Sequence, residues 1–283
     1  MSISKNKSDQ TNEAMLGEIE KQTITDFGEQ WNSYTENPGY YGSSNLLLDI
    51  FGQLLKRGEI KNAHVAEIGS GTGRIVNMLL DEGVAHVIAV EPSDAFEVLK
   101  KNTESRKKQI TYIRESGESI SNKLQLDYIF SIGVIHHIPE PMPTITAAWG
   151  ALRPGGKILI WVYGEEGNET YLKIIKPLRM ITKKLPHAIL ILLCSILSIF
   201  LNIYIFLCSM IPLPMHTYMR NVLAKFPYSV RHMTIYDQLN PAYSKYYTQN
   251  EAIALLHNAH FEDIKSFRRH GYSWTLIGTK SER

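Results

Sequence analysis

Between Val65 and Arg74 an apolar run breaks into glycine at every second position: Val65-Ala66-Glu67-Ile68-Gly69-Ser70-Gly71-Thr72-Gly73-Arg74, after which Ile75 to Leu80 reads as a helix. Residues without a β-carbon, set between a strand and a helix, let the backbone reach positive φ and let a ligand approach the main chain. Open α/β sheets bind ligands at the carboxyl ends of their strands, so the segment makes a nucleotide-like ligand the first expectation. It also fixes what must surround it, because such a turn needs a sheet to stand on.

That sheet is legible from Ala63 to Tyr163, where short apolar runs alternate with longer amphipathic ones, the pattern of strands joined by crossover helices. Strands are expected at about 63–68, 85–91, 109–114, 127–132 and 156–163, and helices near 73–82, 94–106, 118–123 and 142–152. The alternation stops after Tyr163 and resumes at Thr248-Gln249-Asn250-Glu251, a cap-like start for a helix through Leu256. The chain closes with Ile264 to Arg268 and Tyr272 to Gly278, two strand-like runs around His270-Gly271 that read as an antiparallel hairpin.

The reading divides the chain into a loosely held polar tail (1–25), an aromatic cap with a helical segment (26–62), a Rossmann-like core (63–163), an apolar helical insertion or lid (164–247) and a C-terminal helix and hairpin completing the sheet (248–283). The aromatic residues of the cap are Trp31, Tyr34, Tyr40 and Tyr41, suited either to covering a cation or to packing on the sheet edge. At 44% hydrophobic and 20% charged residues, the 283-residue chain has material for a large core, which excludes disordered, collagen-like and coiled-coil classes. Thirty Lys and Arg against 28 Asp and Glu are too balanced for a dedicated nucleic-acid binder, so no nucleic-acid partner is expected. Only Cys194 and Cys208 occur, without metal-ligand spacing, so no metal site is indicated and a reducing compartment fits. The polar N-terminus lacks the apolar stretch of a secretory signal, and the expected location is the cytoplasm.

A second strand, Val87-Ile88-Ala89-Val90, ends at Glu91, where a carboxylate can accept hydrogen bonds from both hydroxyls of a ribose. Together, Glu67-Ile68-Gly69-Ser70-Gly71-Thr72-Gly73 and Glu91 resemble the cofactor site of class I S-adenosylmethionine-dependent methyltransferases. The likeness covers about Ala63 to Tyr163 and resumes from Thr248. It implies an α/β, Rossmann-like sheet of seven strands, mostly parallel, with a terminal antiparallel hairpin and helices on both faces. It also implies S-adenosyl-L-methionine as cofactor, with Gly69, Gly71 and Gly73 facing its methionine part, Glu91 on the ribose, and Glu67 among the cofactor-binding residues. A nicotinamide site of the G-x-G-x-x-G type would need a third glycine where Arg74 stands.

Ser116-Gly117-Glu118 sits where the family usually places an Asp-Ala-Glu-like turn against the adenine, and the change of Asp to Ser puts a direct contact by Ser116 in question. Asp127 to Ile138 resembles the fourth strand and the loop beneath the cofactor, which brings in Ser131, His136 and His137. Leu152-Arg153-Pro154-Gly155-Gly156-Lys157 resembles the turn into the fifth strand. Methyl transfer needs alignment and exclusion of water, and a base only if the acceptor carries a proton; His136 and His137 are the candidates for that base, against packing histidines. His216, His232 and Asp237 are weaker candidates in the insertion.

Ala188 to Ile211 carries no formal charge and is long enough to cross a bilayer, but a crossing would part the final hairpin from its sheet. The run is therefore expected as a greasy lid or as a helix dipping into one leaflet beside a basic flank, with a buried helix as the plain alternative. The resulting expectation is a methyltransferase acting on a small, apolar or lipid-linked acceptor, oxygen ahead of nitrogen or carbon. The alternatives are a cofactor-binding scaffold subunit without activity and a nicotinamide-dependent dehydrogenase.

Overall fold

The computed structural model describes residues 7–282. Seven strands form one sheet: β1 (His64–Ile68), β2 (His86–Val90), β3 (Ile110–Ile113), β4 (Leu126–Ile132), β5 (Leu152–Tyr163), β6 (Phe261–Arg269) and β7 (Ser273–Lys280). Their spatial order is β3-β2-β1-β4-β5-β7-β6. Strands β1 to β5 pair in parallel, while β7 runs antiparallel to both β5 and β6. The period-2 alternation of side chains sends Val65, Val87, Phe130, Leu159 and Ile277 into one core layer and Ala66, Ile88, Ile129, Ile158 and Leu276 into the other.

The first layer is covered by α2 (Ser44–Phe51), α3 (Arg74–Asp81) and α4 (Phe96–Thr103), and the second by α5 (Met142–Ala151) and α10 (Gln249–Asn258). Helix α10 starts as the sequence predicts: the Thr248 side chain accepts from the Glu251 N–H and the Glu251 carboxylate accepts from the Thr248 N–H. The strand order reverses between β1 and β4, so the loops after these two strands diverge and leave a crevice at their carboxyl ends.

Three expectations need correction. The N-terminal stretch expected as a tail is helix α1 (Lys7–Ser33) wherever it falls among the described residues; residues 1–6 lie outside them. Tertiary contact orders it: Thr23 and Gln30 are buried, the Asp26 carboxylate accepts from the Ala242 N–H at 2.8 Å, and the Asn240 amide donates to the Asp26 carbonyl. The helix expected at 118–123 is one 3-10 turn, Gly117–Ser119, because Ile120 turns back into the core. Strand β5 begins at Leu152 rather than 156, since Leu126 already pairs with Leu152 before the register shifts around Gly155 and Gly156.

The insertion is wholly helical in its regular structure: α6 (Glu169–Thr182), α7 (His187–Met210), α8 (His216–Asn221) and α9 (Tyr228–Leu239). Its far end packs Phe226 edge-on against Tyr41, with ring centroids 5.3 Å apart, so the insertion and the aromatic cap share one core. The chain then returns as β6 and β7, and the hairpin is tied to α2 by Asp49, whose carboxylate accepts from Arg269 Nε at 2.9 Å and faces the His270 ring.

Candidate active site

The crevice above β1 and β4 is a cavity with an empty volume of about 1030 Å³. Its floor is the glycine loop. Gly69 sits at φ +77°, and a β-carbon there would lie 2.3 Å from a Val134 methyl, so no larger residue fits between the two loops. Gly71, at φ +48°, leaves room for the Trp31 indole, which would stand 3.3 Å from an added β-carbon. The loop is held at the sheet by the Gly69 and Ser70 N–H groups, both donating to the Val90 carbonyl. Gly73 does not line the cavity; it caps α3 where Leu99 and Thr103 leave no space for a side chain.

Two buried carboxylates face each other across this loop. Glu91 follows β2 and accepts from the Gly71 N–H at 2.7 Å through one oxygen, and from the Ser93 N–H at 2.9 Å and hydroxyl at 2.5 Å through the other. Glu67, the residue before the loop's first turn, is 1% exposed, and its Oε2 has no hydrogen-bond partner among the described residues. Burial pushes the Glu67 carboxyl up to about 8, the charge of Glu91 adds to this, and the Ser70 hydroxyl and Arg74 oppose it. A buried acceptor with no donor of its own calls for one from a ligand. Both carboxylates line the cavity, and the pair suits a molecule bearing a cation at one end and a diol at the other.

The remaining candidates divide. Ser116 and Gly117 line the cavity, whereas Glu118 is exposed and does not. Ser131 is fully buried below the loop, with its hydroxyl directed at the Ile68 carbonyl, so its place is in the support of the site. His137 lines the cavity; its Nδ1 lies 2.9 Å from the Tyr243 carbonyl and must donate to it, which leaves the lone pair on Nε2. Burial lowers the pKa of His137, with Asp237 and the Tyr243 carbonyl pulling the other way. His136 does not reach the cavity. It is fully buried, with neither ring nitrogen hydrogen-bonded among the described residues and its ring 3.9 Å from that of Tyr163, and burial holds its pKa well below the usual value. Of the two histidines expected as bases, the geometry sets only His137 at the cavity.

Helix α1 supplies the roof through Glu20, Thr23, Ile24, Phe27 and Trp31. Of these Phe27 and Trp31 stand out in the sequence as members of an aromatic block, and Glu20, Thr23 and Ile24 do not. The missed signal is the helical spacing Leu16, Ile19, Thr23, Phe27, Trp31 and Tyr34, which runs through the boundary drawn at residue 25. Asp237 of α9 closes the far wall, accepting from the Gln30 amide at 3.1 Å and from the Tyr163 hydroxyl at 2.7 Å. Behind the Tyr163 hydroxyl lies a second cavity, with an empty volume of about 1070 Å³, between the insertion and β5. Leu178, Leu197, Leu201, Leu223 and Leu239 give it an apolar wall, while Gln238 donates to Tyr163 at its polar end.

Residues 66–160 match the family model described as a methyltransferase domain. The tRNA U34 carboxymethyltransferase of Pseudoalteromonas atlantica is 27% identical over 112 residues, which cover 39% of this chain and 35% of that protein. Phosphoethanolamine N-methyltransferase 2 of Caenorhabditis elegans is 30% identical over 145 residues, covering 47% and 30% respectively. The chain thus spans about a third of the length of the curated relatives it matches. The crystal structure of Burkholderia thailandensis 1,6-didemethyltoxoflavin-N1-methyltransferase, with bound 1,6-didemethyltoxoflavin and S-adenosylhomocysteine, aligns at a TM-score of 0.51 and 12% identity, over 99% of this chain and 93% of that one. At that identity the likeness is one of fold, and the fold is the seven-stranded one described above. The domain match lies on the strands and loops that build the cavity, so residues 66–160 carry a methyltransferase domain, and a helical insertion follows it after β5.

Proposed function

We propose that the protein methylates a small apolar acceptor, at oxygen, that enters from the insertion side rather than through the roof formed by α1. The observation that carries this reading is the second cavity: it is lined mostly by apolar side chains, and Tyr163 in its wall donates a hydrogen bond to Asp237, which lines the first. The relatives named above act, by their names, on a tRNA and on phosphoethanolamine, and they match 39% and 47% of this chain; the second cavity is built largely by the insertion.

S-adenosylmethionine supplies a methyl group already activated on a sulfonium, so the protein has to align the acceptor and keep water out. Glu67 and Glu91 would hold the cofactor by its cationic and ribose ends, with Gly69 and Gly71 giving the clearance. Phe27 and Trp31 shield the cavity from solvent. A hydroxyl acceptor gives its proton to Nε2 of His137, whose ring is oriented by the Tyr243 carbonyl and by edge contact with Phe27 at 4.6 Å.

The test uses methyl-labelled S-adenosylmethionine with a cell extract split into organic-soluble, aqueous small-molecule and RNA fractions. Label is expected in the organic-soluble fraction, with release of S-adenosylhomocysteine. Leu201→Trp, which fills the second cavity, should suppress that transfer at unchanged cofactor affinity. Label confined to RNA or to aqueous products, or full activity of Leu201→Trp, would refute the reading. Cofactor binding without turnover in any fraction would favour a scaffold role.

A further inference from the structure

We propose that α7 docks the protein on an anionic bilayer, lying in the interface with its outward side among the acyl chains. Helix α7 is long and apolar enough to cross a membrane, yet only 22% of its most apolar window is buried in the fold. Its inward side carries Leu190, Cys194, Ser198, Ile205 and Cys208, all buried. The polar residues of the run are also turned inward or satisfied. Ser195 faces His232 at 3.1 Å, Ser198 donates to the Cys194 carbonyl, and the Asn202 side-chain oxygen accepts from Arg231. What remains outside is a stripe at spacings of three and four: Ile189, Leu192, Ile196, Ile199 or Phe200, Ile203, Phe206 or Leu207, and Met210, each between 39% and 68% exposed. Among the described residues the one polar side chain on that side, Ser209, turns its hydroxyl back to the Phe206 carbonyl.

Such a stripe is about 30 Å long at 1.5 Å per residue, far beyond scattered surface leucines. A water-facing helix would carry charge there. A transverse crossing does not fit, because α8 and α9 fold back onto α7 and the chain goes on to pair β7 with β5.

Charge selects the occupant. From Thr170 to Tyr236 there are eight Lys and Arg and no Asp or Glu, while the rest of the chain holds 22 Lys and Arg against 28 Asp and Glu. An almost neutral protein therefore concentrates all its excess positive charge around its exposed apolar helix. Lys173, Lys176, Lys183 and Lys184 are exposed on α6 and the link to α7, and Arg220 and Lys225 are exposed beyond it. A second copy of the same chain would bring these cations face to face, whereas anionic lipid headgroups neutralise them. The inward side of α7 also lines the second cavity through Leu197 and Leu201, so a docked helix is the wall between that cavity and the bilayer. The inference does not depend on which acceptor is methylated.

The experiment is sedimentation of the full chain with vesicles of phosphatidylcholine alone and of phosphatidylcholine with phosphatidylserine. The protein is expected to pellet with the anionic vesicles and at least about tenfold less with the neutral ones. The triple variant Ile196→Asn, Phe200→Asn, Ile203→Asn should lose binding to both by at least about tenfold, with cofactor affinity unchanged as the check on folding. A second variant, with Lys173, Lys176, Lys183 and Lys184 each changed to Gln, should lose only the preference for anionic vesicles. Wild-type protein that stays in the supernatant, or that binds both vesicle types equally, overturns the proposal. So does a stable dimer in solution that the triple variant splits, since a second copy would then be the occupant. Cofactor binding and methyl transfer in solution are read separately, so failure here leaves the functional reading standing.

Discussion

Glu67 offers the sharpest perturbation, because its carboxyl is raised from its ordinary 4.5 to about 8 by burial first and by the neighbouring Glu91 second. Without a cofactor, the folded protein keeps a proton at Glu67 that the unfolded chain gives up between those two pH values. Stability therefore falls as pH rises through the window, by as much as about 1.4 kcal/mol per pH unit and about 5 kcal/mol in all. Glu67→Gln has nearly the same shape and cannot ionise, so it should match the wild type near pH 5 and exceed its stability by several kcal/mol near pH 8. Urea unfolding of both proteins at about pH 5, 6, 7 and 8 measures this. A cationic ligand reverses the logic, since it favours the carboxylate. Binding of S-adenosylmethionine near pH 7 should release close to one proton from the wild type and none from Glu67→Gln, read by calorimetry in two buffers of different ionisation heat. Parallel stability curves for the two proteins, together with binding that moves no proton, would refute the placement of Glu67 as a buried carboxyl waiting for a cation.

Other outcomes follow from the same geometry. Glu91→Ala removes both the ribose acceptor and the anchor of the Gly71 N–H, and should weaken cofactor binding at least about tenfold, or about 1.4 kcal/mol; unchanged affinity by calorimetry would count against the site. Gly69→Ala combines a left-handed φ with a contact of 2.3 Å to Val134, and should cost about 1–3 kcal/mol in thermal unfolding and abolish cofactor binding. His137→Gln should lower kcat by about a hundredfold or more on a hydroxyl acceptor, with the cofactor's Kd unmoved; an equal loss in both would make the residue structural. Asp49→Asn leaves Arg269, whose side chain is 3% exposed, without its counter-charge, and should cost about 3–5 kcal/mol. Burial tends to raise the Asp49 carboxyl, but His270 and Arg269 outweigh it and hold it below its ordinary 3.8. The wild type's advantage should therefore be full above about pH 4 and fade as pH falls further, which acid titration of both proteins would read.

Local rules made the core legible in the sequence. Alternate glycines between an apolar strand and a helix, an acid at the end of the next strand, and a Thr-x-x-Glu box before α10 each have one physical reason to exist, and each acts within a few residues of itself. That was enough to place β1, β2, the cofactor loop and the terminal hairpin. It failed where partners are distant. Thr23 looks like a solvated residue of a polar stretch, yet it is buried at the cavity wall, so the first part of α1 passed for a tail. Adjacent histidines look equivalent in a string of letters, but only the rotation of one turn decides that His137 meets the cavity while His136 packs against the Tyr163 ring. The apolar run from Ala188 to Ile211 announced its own helix and nothing about its sides. Which residues face inward was settled by His232, Arg231 and the rest of α9, more than twenty positions away, because a helix apolar all round carries no internal signal for its own orientation.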